Sequence, residues 1–292
     1  MTKALPASMI AQLEALGTAL VALAHEHQDA SLARLEQEVV TVVRESLPTL
    51  LQEVLQASTT SLHPSYVRRP QPCPVCGTRS RIHSWRPRTI TTVCGPVRFR
   101  RPWHLCPGCE QGFSPVDATL QIAPYTRLSA GVQAWLVTVG ARTSFGEAAD
   151  LVETLTGLTV SPETVRQHTE KQGQALEETC QREMATVVRT QESPVPVDVA
   201  PGLLVVETDG VMVRYRDAWH EVKLGLVAGH TAGKTVVPSY VAARARTEAF
   251  GPRLLVEAAR RGALEVVEWP GSITRPGLAV LREVVVLGDG AP

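Results

Sequence analysis

Two cysteine pairs carry the clearest chemistry in this sequence, Cys73-Pro-Val-Cys76-Gly and Cys106-Pro-Gly-Cys109. Each CxxC turn presents two thiolates, and four soft donors complete a tetrahedral Zn2+ site. The stretch between the pairs is strand-like, so they bracket a β-hairpin as the knuckles of a zinc ribbon. A segment this small has too little core to fold unless a metal closes it. His83, His104 and Cys94 lie nearby, but four cysteines already fill the site. Cys180 stands alone in a helical stretch and reads as a small apolar residue.

Two aspartates form a second candidate centre. Asp209 sits in Val205-Val206-Glu207-Thr208-Asp209-Gly210, and Asp289 follows Val284-Val285-Val286-Leu287-Gly288. An acid in a half-buried strand carries a large desolvation cost unless something compensates it. The glycine after each acid leaves room for a metal or a substrate backbone. Carboxylates on neighbouring strands can share Mg2+ or Mn2+, hard cations that favour oxygen. Two such ions about 3.5–4 Å apart activate an attacking oxygen and stabilise a leaving one in phosphodiester chemistry. A lone Asp-Gly is more often a turn, so the weight rests on the pair. Glu207 shares a strand face with Asp209 and is a secondary candidate. Asp217 and Glu221 fall at a hairpin and strand edge and read as solvated.

The net charge of zero conceals a separation. Between Glu53 and Glu110 there is no acid, yet the window holds Arg68, Arg69, Arg79, Arg81, Arg86, Arg88, Arg98, Arg100 and Arg101. Such a block attracts polyphosphate whatever the total charge, and arginine's planar fork suits phosphates and guanine edges. Arg98, Arg100 and Arg101, beside Trp103, are the expected DNA contacts of the hairpin.

A third feature follows. Phe145, Ala148, Ala149, Leu151, Val152 and Leu155 recur at helical spacing, Thr156-Gly157-Leu158 makes a turn, and Ser161-Pro162 opens a second helix as N-cap and first residue. The second helix carries Glu163, Thr164, Arg166, Gln167, His168 and Lys171 on its expected exposed side. This is the pattern of a helix-turn-helix, with Arg166 and Lys171 as DNA contacts.

The remaining sequence positions these groups. Apolar periodicity from Ser8 to Gln56 predicts two helices, broken at Asp29 to Ser31, with Pro48 starting or kinking the last turns. Prolines 64, 70 and 72 mark one linker, and Pro194, Pro196 and Pro201 a second. Gly95-Pro96 is the expected turn between strands Arg88–Val93 and Val97–His104. Three β-rich runs, Leu203–Tyr215, Trp219–Ala228 and Val236–Ala243, precede a helix over Glu248–Arg261 and the strand Val284–Leu287. The expected domains are a helical region (1–62), the zinc ribbon (66–115), a helix-turn-helix domain (126–190) and a mixed α/β sheet (202–292). Ala15–Ala24 mimics a signal-peptide core, but Gln12 and Glu14 just upstream favour an ordinary helix. Cysteines in metal-binding pairs favour a reducing compartment, so the cytoplasm is expected, with no membrane association.

In chain order, the two CxxC knuckles, Gly95-Pro96-Val97, the Phe145–Gln174 bihelical unit, Glu207-Thr-Asp-Gly-Val-Met212, Trp219-His-Glu-Val-Lys-Leu-Gly225 and Leu287-Gly-Asp-Gly-Ala-Pro292 resemble the ISKra-type insertion-sequence transposases. The resemblance runs from about residue 70 to the end. It implies an RNase H-like core with a DDE triad, Mg2+ dependence and action on the terminal inverted repeats of double-stranded DNA, at the bacterial nucleoid. By position Asp209 matches the first acid of the triad and Asp289 the second. The third, on a later helix, has no counterpart before Pro292, so the expectation is a multidomain α/β chain truncated before its last catalytic carboxylate and inactive alone. The alternative is a non-catalytic DNA-end-binding module that represses transposition. A homo-oligomer is the other candidate partner beside DNA.

Overall fold

The computed structural model describes residues 6–27, 29–58, 69–190, 199–215, 217–267, 277–280 and 283–288. Arg68, Asp289 and the linker residues Pro64, Pro194 and Pro196 lie outside them. The chain divides into two compact units, Met1–Glu170 and Lys171–Pro292.

The first unit begins with α1 (Ala7–Glu26) and α2 (Leu32–Ser58), separated where the sequence breaks at Asp29 to Ser31. Ser8 near the start of α1 donates to Glu53 near the end of α2, and His27 pairs with Glu38, so the two helices run antiparallel. By length and composition alone α1 could cross a membrane, which accounts for its likeness to a signal-peptide core. Pro48 lies inside α2. Its ring packs on the hairpin turn, where a Cβ on Gly95 would come within 2.8 Å of Pro48 Cγ.

A two-stranded ribbon, β1 (Gln71–Pro72) with β2 (Arg79–Ser80), carries the first cysteine pair. It leads into β3 (Ile82–Thr92), β4 (Gly95–Leu105) and β5 (Gly112–Phe113), an antiparallel sheet in that order. The turn is Val93-Cys94, not Gly95-Pro96. Thr92 closes it early: its hydroxyl accepts from the Cys94 amide and donates to the Gly95 carbonyl, and Gly95 takes φ +101° to enter β4. Along β4 the side chains alternate. Val97, Phe99 and Arg101 point inward, and Ile90, Val97 and Phe99 form a core with Val116 of α3 (Pro115–Thr119) and with Leu51 and Leu55 of α2.

Three helices complete the unit: α4 (Ala130–Gly140), α5 (Phe145–Thr156) and α6 (Pro162–Thr190), whose later turns belong to the second unit. Serine caps each one, Ser129 accepting from the Val132 amide, Ser144 from Glu147 and Ser161 from Thr164. Gly157 ends α5 in the left-handed conformation, φ +74°, which a residue with a Cβ enters only at a cost. Val132, Leu136, Ala148, Ala149, Val152 and Val165 are the core these helices share.

The second unit is a mixed sheet. Strands β6 (Leu203–Arg214), β7 (Trp219–Thr231) and β8 (Lys234–Ala243) form an antiparallel meander, and β11 (Val284–Leu287) adds to β6 in parallel, giving the order β11-β6-β7-β8. A separate antiparallel pair joins β9 (Leu264–Val267) and β10 (Gly277–Val280). Helix α7 (Thr247–Arg260) covers one face, packing Ala258 and Ala259 on Leu204, Val206 and Val227. Two ion pairs, Arg253–Glu177 and Arg260–Glu183, fasten α7 to the second half of α6.

Candidate functional site

The four cysteines converge as their spacing predicts. Their sulfurs all lie within 4.8 Å of one another, with Cys73–Cys109 at 3.6 Å and Cys76–Cys106 at 3.4 Å. Each pair is built the same way. The Cys73 and Cys106 amides donate to the carbonyls of Thr78 and Gln111, and the Gly77 and Glu110 amides return to the Cys73 and Cys106 carbonyls. The amides of Val75 and Gly108 point at the Cys73 and Cys106 sulfurs, both at 3.4 Å. The two turns differ at one position: Gly77 has φ +75°, and its counterpart Glu110 is forced to φ +57°.

Electrostatics in this cluster favour a cation. The Thr78 hydroxyl and backbone, then the Cys106 and Cys109 thiols, hold the Cys76 thiol down at about 6. The Cys76 backbone amide lowers Cys73, against its burial. Cys109 receives a lowering hydrogen bond from Gln111, yet burial and the three other sulfurs push it up to about 12. Four thiolates this close repel one another, and a metal ion at their centre removes the conflict. The cluster can therefore hold a metal ion. His104 is not a ligand: it is buried, stacks on Phe113 and places Nδ1 3.1 Å from the Ser80 carbonyl, and burial lowers its pKa. His83 and Cys94 are also outside the four-sulfur cluster.

The three hairpin arginines part company. Arg98 and Arg100 are exposed and form no ion pair among the described residues. With their cross-strand partners Thr89 and Pro87, and with Trp85 one step along, they make the outward face of the hairpin. Arg101 is different, and the expectation that it contacts DNA is overturned. It lies on the inward face, 5% exposed, with Nε 2.6 Å from Asp117 Oδ1. Burial raises the Asp117 pKa, and Arg101 and then Arg88 offset part of that rise. Arg88 also serves the fold, donating to the Ala123 and Thr126 carbonyls. The guanidinium groups of Arg86 and Arg101 both lie over the Trp103 ring, 4.7 Å and 5.1 Å from its centre. In the sequence Asp117 lies beyond the acid-free window, seven residues after Glu110, so no local pattern ties it to Arg101.

On α6, Arg166 is held by carboxylates on both sides, Glu163 at 2.7 Å and Glu170 at 2.5 Å. These contacts raise the Arg166 pKa, and the Arg166 hydrogen bonds hold Glu163 down at about 2. Any anion reaching Arg166 must displace one of them. Lys171, five residues on, is exposed.

Asp209 is exposed, which corrects the expectation of an acid needing compensation inside a half-buried strand. Leu204 and Val206 turn toward α7, so Glu207 and Asp209 fall on the opposite face, which no helix covers among the described residues. Asp209 Oδ1 accepts from the Gly210 amide at 2.7 Å. Around it is a hollow of about 520 Å3 lined by Glu207, Leu224, Leu226, Tyr240 and Leu287. β11 runs beside β6 with Leu287 opposite Glu207; Asp289, the intended partner, lies outside the described residues. Asp217 pairs with His220 at 2.9 Å, which lowers its pKa, and Glu221 pairs with Lys223 at 3.1 Å.

Residues 27–232 match the profile of an uncharacterised protein family, UPF0236, and the chain belongs to that family. A search of curated proteins gave no match.

Proposed function

We propose that this UPF0236 protein binds double-stranded DNA as an insertion-sequence transposase does, through a zinc ribbon and a helix-turn-helix, and that its mixed sheet is the metal-dependent half of an RNase H-like domain. The observation that carries the reading is the sorting of the hairpin arginines. Arg88 and Arg101 are held within the fold, whereas Arg98 and Arg100 stand on one outward face with no carboxylate paired to them among the described residues. A fold that neutralises some arginines and leaves others bare has a use for the bare ones, and phosphate is the partner that suits an acid-free arginine surface.

Zinc is the metal we assign to the cysteines. A tetrahedral site with Zn–S of about 2.3 Å has sulfur–sulfur edges of about 3.8 Å, close to the 3.4 and 3.6 Å found here. Its role is structural, because four protein ligands leave no open position. The Ser161-capped start of α6, just after the Gly157 turn, supports the helix-turn-helix assignment. For the sheet, support comes from the parallel addition of β11 to the first strand of a meander. That order offers Asp209 for Mg2+ or Mn2+, and Asp289, outside the described residues, is the second ligand of this proposal.

The test is selection of bound fragments from DNA flanking the protein's own reading frame. A transposase recovers a repeated end sequence in inverted orientation, and Asp209→Asn leaves that recovery intact while weakening Mn2+ binding. Recovery of fragments without a shared end sequence contradicts the reading.

A further inference from the structure

One side of α1 is accounted for. Met9, Gln12, Leu16, Leu20 and Leu23 are its more covered positions, at the spacing of a helix face laid on α2. The flank next to it, about 100° round the helix, is apolar too. Ile10 is 41% exposed, Leu13 45% and Val21 59%, and Ala24 is exposed beyond them. At the middle of this stripe is Gly17, and a Cβ added there would meet nothing within 4 Å. The stripe is symmetric about that glycine in sequence: Leu13 and Val21 lie equally far to either side, and so do Ile10 and Ala24.

We propose that α1 packs antiparallel on α1 of a second copy of this chain, the two helices crossing at Gly17. In that arrangement Leu13 of each copy meets Val21 of the other, Ile10 meets Ala24, and the two glycines let the backbones approach closely. A two-fold interface needs a self-complementary patch, and a stripe whose apolar positions are evenly placed about its central glycine is one. A helix of 20 residues is about 30 Å long and about 10 Å wide. Alone it covers about 300 Å2 per copy. Counted from Glu38, which meets His27 at the end of α1, the exposed Leu32 and Val39 of α2 turn to the same flank and bring the total to about 1,000 Å2, the size a specific interface must reach.

Lipid would also accept an apolar helix, but inserting α1 strips its covered side from α2 and breaks Ser8–Glu53 and His27–Glu38. α2 cannot follow, since its Leu51 and Leu55 are held in the hairpin core. A second copy covers the stripe and leaves those contacts in place. The inference stands apart from the DNA-binding reading and survives its failure.

Sedimentation equilibrium of the zinc-loaded full chain at micromolar concentration should give about twice the chain mass of 31.6 kDa. Leu13→Glu with Val21→Glu should reduce it to the single-chain mass with metal content and helicity unchanged, since both side chains are exposed in one copy. Orientation is read by mild oxidation of cysteine variants, with the parent chain as control. Gly17→Cys should cross-link to itself. Leu13→Cys should not, but should cross-link when mixed with Val21→Cys. A single-chain mass for the parent overturns the proposal, as does self-linking of Leu13→Cys as efficient as that of Gly17→Cys. Flotation of the chain with phosphatidylglycerol–phosphatidylcholine vesicles in place of dimerisation overturns it in favour of a membrane surface.

Discussion

Replacing Arg101 with alanine removes the cationic half of a buried ion pair and leaves Asp117 behind. The Arg101 side chain is 6% exposed and that of Asp117 17%, so solvent screens little of the loss. Breaking a buried pair from one side costs about 3–5 kcal/mol, and the partial exposure of Asp117 points to the lower end, about 3 kcal/mol. For a unit spanning Met1–Glu170, each kcal/mol moves the melting temperature by about 2–4 °C, so the shift is about 6–12 °C. The assay is scanning calorimetry of the zinc-loaded chain, following the transition that a chelator removes. The deficit depends on pH with a definite sign. Burial raises the Asp117 pKa in the folded state, so the folded form holds that proton more tightly than the unfolded form. Stability from this group is therefore greatest at low pH and falls as pH rises through the raised value. Without Arg101 the rise is larger, so the deficit should be full at neutral pH and should narrow as the pH drops toward the carboxylate range. Arg101→Met with Asp117→Leu should recover most of the loss, because an apolar pair of similar volume needs no compensation. An Arg101→Ala chain that melts like the parent, while losing DNA affinity, would refute the reasoning and return Arg101 to the DNA surface.

The metal and backbone predictions follow from the two cysteine turns. Purified chain should hold about one Zn2+; Cys76→Ser and Cys106→Ser should each abolish it, and full metal content in either would remove the four-cysteine site. Chelation should unfold the hairpin, seen as loss of the near-ultraviolet signal of Trp85 and Trp103. Glu110→Gly should raise stability by about 1 kcal/mol, because the left-handed conformation it now occupies at φ +57° is cheap for glycine; a lower melting temperature would mean that the Glu110 side chain contributes something its geometry does not reveal.

How far the sequence reveals this arrangement depends on the period of each signal. The cysteine turns and the Ser161-Pro162 helix start are local, complete within a few residues, and they stand where their spacing puts them. The break at Asp29 to Ser31 and the run Val284–Leu287 are equally local. A charge count across a window does not distinguish Arg101 from Arg98 and Arg100. Two-residue alternation from Val97 through Phe99 turns Arg101 inward, and the partner that makes this affordable, Asp117, comes from α3 after the second cysteine pair. Parity also settles Asp209: with Leu204 and Val206 facing α7, an odd-numbered acid on β6 must face away from it. The pairing of Arg166 with Glu163 and Glu170 was visible as spacings of three and four on one helix. What no local pattern carries is the order β11-β6-β7-β8, in which strands some 80 residues apart become parallel neighbours.

The central claim is that the outward face of the hairpin binds duplex DNA, and the salt dependence of binding tests it most directly. Fluorescence anisotropy of a labelled duplex should be titrated with the zinc-loaded chain at a series of salt concentrations. Each phosphate neutralised contributes about 0.9 to the slope of log affinity against log salt. Replacing Arg98 and Arg100 together with alanine should therefore flatten the slope by about 1.8 and weaken binding to all sequences, with metal content and melting temperature unchanged. An unaltered slope and affinity in that double variant would contradict the account.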